Sequence, residues 1–388
     1  MKNILYFYPD NPSILDQGNN SRANSLLKYF KSRGFRVDLV CECEVSELKS
    51  LKEDQLIDNV WQLTKTVLNI QHFIFKILPQ KIYRGLLNFI SKKRYNTIYD
   101  LNKLKKGYLE SFENILRNKN YDIVIISYSN WSPLIKNSSK ISPNSKLIID
   151  THDFITSQYQ DQPHFDIGYY FKKEIEALKM FDEIWAISIE EHFLFSQFIN
   201  DKKVVLVPHG SKFNRINNET KPTIDLLYVA SDNQHNVKSI NWFFDKVYPL
   251  LPKNISITIV GKICKVVSDY KNVEKIPFVQ SLDALYQDTK ICLCPMLSGT
   301  GLKIKIVEAL SYGIPVVCNQ RGVDGLLNKI NNGCLSTESE IEFSDYIIKL
   351  LIDDSFYLEN KKDAEIFFKA TLSEGVVYRK LDNTFNIL

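Results

Sequence analysis

Short apolar runs separated by amphipathic stretches recur along nearly the whole chain. Asn3–Tyr8 reads as a strand, Ser21–Ser32 repeats apolar positions at helical spacing and stops at Gly34, and Val37–Cys41 reads as a second strand. Together they predict a βαβ unit. Further strands are predicted at Asp122–Ile126, Lys146–Ile149, Glu183–Ile187 and Lys203–Val207, whose continuous apolar character suits a buried parallel sheet. Pro208–Pro222 is the one long polar stretch rich in turn residues, and it marks a domain boundary. The alternation then resumes, with strands near 224–230, 255–260, 290–294 and 314–318 and helices near 237–250, 282–288, 302–312 and 340–352. The pattern predicts an α/β protein with two Rossmann-like, doubly wound domains. The first spans 1–208 and carries a basic helical insert at about 45–118. The second spans 209–372, and a terminal helix over 373–388 could cross back to the first. Ligands of such sheets bind outside the carboxyl ends of the strands, so a cleft between the domains is the expected site.

Within the second half, Cys294–Cys318 combines a strand, a glycine-bearing turn, a helix and another strand. Flexible Ser298-Gly299-Thr300-Gly301-Leu302 lets N–H groups at the following helix start point outward, where the positive helix end favours a phosphate. Lys305, one turn into that helix, adds a full charge. Glu308 is expected about 10 Å further along the axis than Gly301, on nearly the same face, a distance suited to a ribose beyond a diphosphate. Lys303 sits about 140° around the helix from Glu308, where it assists or faces water. On spacing alone, an ordinary loop followed by an intrahelical Lys305–Glu308 pair remains the alternative.

Composition narrows the class. A chain of 388 residues suggests two domains, and 44% hydrophobic with 24% charged residues is ordinary for a globular protein. No window offers eighteen uninterrupted apolar residues, and the amino end is too short in apolar character for a secretory leader. Seven cysteines without a CxxC pair are expected as buried, reduced thiols, which points to the cytoplasm and away from structural zinc. The net charge of +4 is uneven, because residues 61–120 alone carry +9. That segment interleaves basic residues such as Lys65, Lys76, Lys81 and Arg84 with apolar residues from Trp61 to Ile90, and Lys92, Lys93, Arg94, Lys105 and Lys106 follow them. It reads either as a basic amphipathic segment for an anionic membrane surface or as a structural insert with a solvated face.

The run Gly299–Val317, followed by Arg321–Leu326, resembles the donor-binding signature of group 1 (family 4-like) nucleotide-sugar glycosyltransferases of the GT-B fold. Leu226–Ser231 with Asn236, Ile255–Gly261 and Lys275–Val279 resemble the family's neighbouring segments, and Asp150–Asp153 resembles its acidic and histidine turn. The likeness is clearest over about 120–330. It implies a glycosyltransferase that moves a sugar from a nucleoside-diphosphate sugar to a hydroxyl on a glycan, lipid-linked or protein acceptor, in surface polysaccharide or glycoconjugate assembly. It implies retention, no metal, no cofactor beyond the donor substrate, and no nucleic-acid partner. His152, Lys305 and Glu308 are its catalytic candidates. Gly299, Thr300, Gly301, Leu302, Lys303, Asn236, Asp153 and Val279 would bind substrate, Val279 through backbone groups near the base. Thr300 stands where many members carry a glutamate that contacts the donor sugar. Asp150 and Asp153 are an acidic pair of the kind that holds a divalent ion elsewhere, and a metal role ranks low here.

At the amino end, Gly18–Arg22 follows the first strand without a full GxGxxG. Gly18 and Arg22 read as an anion or acceptor contact, or as an ordinary loop with Ser21 capping the helix. A GT-B sugar-nucleotide epimerase and a non-catalytic GT-B partner subunit are the rival readings. The first needs acid and base residues that the sequence does not reveal, and the second would have lost Lys305 or Glu308. The enzyme is expected in the cytoplasm, with a peripheral position on the inner face of the membrane as an option.

Overall fold

A computed structural model describes residues 2–14, 17–65, 102–160, 162–163, 165–214 and 222–387. The chain divides into two compact units. One comprises Met1–Asp10, Gly34–Asp150 and Ile155–Ile184, and the other Asn11–Arg33, Thr151–Phe154 and Trp185–Leu388.

Seven strands form the first sheet: β1 (Asn3–Phe7), β2 (Arg36–Cys41), β3 (Asn59–Gln62), β4 (Ile123–Ser127), β5 (Lys146–Asp150), β6 (Glu183–Ala186) and β7 (Lys203–Leu206), in the order β3-β2-β1-β4-β5-β6-β7. β1 pairs in parallel with both β2 and β4, and every residue of β4 is buried. Burial on both faces is why these strands lack polar alternation.

Six strands form the second sheet: β8 (Ile224–Val229), β9 (Ile257–Val260), β10 (Val273–Ile276), β11 (Thr289–Cys294), β12 (Val316–Cys318) and β13 (Cys334–Ser336). They run in the order β10-β9-β8-β11-β12-β13, and all five pairings are parallel. Successive strand side chains serve opposite faces. Leu227, Cys292 and Cys294 pack with Ile306, Val307, Leu310 and Phe368 on one face, while Leu226, Tyr228, Ile291 and Leu293 pack with Phe243, Phe343 and Ile347 on the other. Truncating a fully buried Leu310 to alanine would cost about 2–5 kcal/mol. The strand order reverses between β8 and β11, and a sheet that reverses leaves a crevice at the carboxyl ends of those two strands.

Several element limits differ from the sequence expectation. The first helix begins at Gly18, with Gln17 as its N-cap, so Ser21 lies inside the first turn and bonds back to the Gln17 carbonyl at 3.3 Å rather than capping the helix. The helix expected near 237–250 runs as Gln234–Trp242, a wider turn over Phe243–Val247 and a tighter one over Tyr248–Leu250. Pro249, which has no N–H, explains why regular helix does not continue there.

Of the basic segment, residues 66–101, including Lys92, Lys93 and Arg94, lie outside the described residues. Trp61 belongs to β3, and Lys105 pairs with Glu42 at 2.5 Å while Tyr108 donates to the same carboxylate at 2.6 Å. Among the described residues no helix is long and apolar enough to cross a membrane. All seven cysteines are free thiols, and six are buried.

Candidate functional site

The crevice at the carboxyl ends of β8 and β11 receives two loops. The loop after β8 ends in Asn233, whose side chain caps the helix Gln234–Trp242 by accepting from the Asn236 N–H at 2.9 Å. The loop after β11 holds Ser298–Lys303 and leads into the helix Ile304–Ser311. Gly299 and Gly301 have φ of +92° and +74°, a region that side-chain-bearing residues rarely adopt, and this explains the two glycines around Thr300. His235 Nδ1 meets Ser298 Oγ at 2.8 Å and ties the two loops together.

Because the second helix starts at Ile304 rather than 302, Lys305 stands in its first turn and Glu308 one turn on, about 6 Å along the axis from Ile304. The longer separation expected from Gly301 assumed helix where the chain is extended. Lys305 Nζ donates to Asn236 Oδ1 at 2.8 Å and lies 4.9 Å from the centre of the Tyr228 ring. Burial lowers its pKa, offset by neighbouring groups that include Glu308. Glu308 accepts a 2.9 Å bond from the Tyr286 hydroxyl. Burial raises its pKa, while Tyr286 and Lys305 pull it back toward the charged form. Buried Asn236 and half-buried Lys305 and Glu308 thus lie in one polar region, with Lys305 bonded to Asn236 and within electrostatic reach of Glu308.

Lys303 departs from expectation. It does not face water: it is 7% exposed, and its ammonium donates to the carbonyls of Gly299, Thr300 and Gly301 at 3.3, 3.0 and 2.8 Å. Leu302 is buried in the apolar cluster with Ile306, and Val279, beyond β10, packs half-buried against the same cluster.

The Thr151–Phe154 segment lies beside the glycine loop. A Cβ on Gly301 would stand 2.9 Å from Asp153 Oδ1 and 3.9 Å from the His152 carbonyl. His152 is buried and has φ of +58°, an uncommon conformation for a residue other than glycine. Gly18 also comes to this place, since a Cβ there would clash with the Ile304 side chain. Arg22 turns away into protein, donating from Nη1 to the Val207 carbonyl at 2.8 Å beside buried His209. Burial, with the Arg22 and His152 charges adding to it, pushes the His209 pKa down to about 3.

Sequence reasoning missed Tyr228, Tyr286 and His235. No periodicity links Tyr286 to Glu308, 22 residues away, and only the sheet order brings them together. Among the described residues no group of three His, Cys, Asp or Glu side chains is arranged to hold a metal ion.

Two parallel α/β sheets, one of them with a helix start at a strand-order reversal, give the chain a GT-B-like fold. Residues 223–353 of the chain match the family described as Glycosyl transferases group 1. Its fold is similar to that of S. aureus TarM, solved as a variant with fondaparinux, alpha-GlcNAc-glycerol and UDP, at a TM-score of 0.71 and 15% identity over 100% of both chains. It is similar also to Anabaena HepE, solved with UDP-glucose, at a TM-score of 0.70 and 13% identity over 100% of both chains. In sequence it is 22% identical over 348 residues, 82% of this chain and 87% of the other, to an uncharacterized 44.6 kDa protein in the cps region of Klebsiella pneumoniae.

Proposed function

We propose that the protein transfers a glycosyl group from a UDP-sugar to a hydroxyl of a glycan or lipid-linked acceptor during assembly of a surface polysaccharide, with retention at the anomeric carbon and without a metal. The observation that carries this reading is the bond between Asn236 and Lys305 at two helix starts beside the glycine loop, with Glu308 one turn further along the second helix. Glu308 offers a carboxylate to two ribose hydroxyls, and Lys305 offers charge to the diphosphate. Breaking the anomeric C–O bond puts negative charge on the leaving diphosphate, which Lys305 and the loop N–H groups stabilise. The UDP found with TarM and UDP-glucose found with HepE favour uridine as the base. The relative in a Klebsiella cps region favours the polysaccharide role.

A calorimetric screen of UDP-, GDP- and dTDP-sugars tests the donor. Lys305→Ala and Glu308→Ala should each weaken UDP-sugar binding by about 1.5–3 kcal/mol while leaving the fold intact. Wild-type affinity in both variants would sink the assignment. His152→Ala should lower kcat more than it weakens UDP binding, and an equal fall in both would give His152 another role. Activity that survives EDTA, with an NMR-defined product anomer matching the donor, is the outcome expected of a metal-independent retaining enzyme.

A further inference from the structure

The glycine loop is folded around an ammonium group. Lys303 precedes the helix Ile304–Ser311 in an extended conformation, with φ −84° and ψ 103°, which turns its side chain back beneath the loop. An ammonium has three N–H donors. The carbonyls of Gly299, Thr300 and Gly301, at 3.3, 3.0 and 2.8 Å, match that number.

The consequence follows from peptide geometry. Across a trans peptide, the C=O of one residue and the N–H of the next point in opposite directions. Drawing these three carbonyls onto Lys303 turns the N–H groups of Thr300, Gly301 and Leu302 away from it, and none of the three has an acceptor among the described residues. Thr300 Oγ1 is likewise buried without a partner. Burial lowers the Lys303 pKa, and Asp324 and Asp153 oppose that shift in favour of the charged form. Lys305, by contrast, is half-buried, and among oxygen acceptors bonds Asn236.

We propose that Lys303 is a positioning residue that holds the Gly299–Gly301 carbonyls so that the N–H groups of Thr300, Gly301 and Leu302 face the donor diphosphate, without touching the donor itself. This rests on the nucleotide-sugar reading above. The loop then presents neutral donors and Lys305 supplies the ligand-facing cation.

Two measurements test it. Acylation of lysines by a succinimidyl ester, read by mass spectrometry, should leave Lys303 at least about tenfold slower than exposed Lys238, both with and without UDP. A lysine that contacts phosphate would label in the free protein and be protected only by UDP. In binding, Lys303→Met and Lys303→Arg should both weaken UDP by about tenfold or more, because a planar guanidinium cannot meet three converging carbonyls as an ammonium does. A direct phosphate contact would instead be restored by arginine. Rapid labelling of Lys303 in the free protein, or full recovery of UDP binding in Lys303→Arg, overturns the proposal. Wild-type protein that fails to bind UDP would remove the nucleotide reading and the ligand-facing half of the inference, while the labelling result still judges the carbonyl clamp.

Discussion

At the scale of single residues, the site shows how burial decides what a charged group can do. Lys305 keeps a capacity for ligand because it is half-buried beside one amide, whereas Lys303 has its donors taken by three carbonyls. Sequence spacing named both lysines and separated them by a helical angle that does not apply to Lys303. The angular argument for Lys303 presumed a helix that starts only at Ile304, and an extended residue obeys no helical wheel. His209 shows the same principle in its titration. Its pKa falls from 6.5 unfolded to about 3 in the folded chain, so the folded state excludes a proton that the unfolded state binds. The stability from keeping it neutral is present above pH 6.5 and is lost as pH falls toward 3, at up to about 1.4 kcal/mol per pH unit. Urea titrations between pH 7 and 4 should therefore show a steeper acid loss in wild type than in His209→Gln, and parallel profiles would remove His209 as the cause.

Among the elements, strands and the glycine turn were legible because both are local. Apolar runs located β1, β4, β8 and β11 to within a few residues, and the Gly299–Gly301 turn declared its backbone through composition. What packs on that turn was not legible, since sequence-distant segments do the packing. Gly325, at φ +88°, is one such support: a Cβ there would stand 2.7 Å from Leu302 Cα, and its N–H donates to Glu190 at 3.0 Å. Gly325→Ala must strain the left-handed residue by about 1–2 kcal/mol and push Leu302 out of place. UDP affinity should fall together with a drop in melting temperature, and a variant with unchanged affinity would show that the loop tolerates the shift.

For the whole molecule, charge distribution and chain connectivity each carry a consequence. The +9 over residues 61–120 is a property of sequence alone and supports peripheral membrane attachment as a proposal. Wild type should sediment with anionic liposomes at low salt and release at high salt, while a variant neutral at Lys92, Lys93, Arg94, Lys105 and Lys106 should stay in solution. Equal, negligible sedimentation by both would leave a structural insert. Connectivity acts through time. The Arg33 guanidinium holds Asp382 by bonds of 2.7 and 2.8 Å, Tyr29 donates to the same carboxylate at 3.0 Å, and these partners lie 349 and 353 residues apart. At about 5–20 residues per second, a ribosome needs roughly 20–70 s to make the second half of that contact after the first. Throughout that interval the buried Tyr29 and Phe30 await Phe385, so the growing chain leaves part of their aromatic surface uncovered until the helix Glu374–Phe385 emerges.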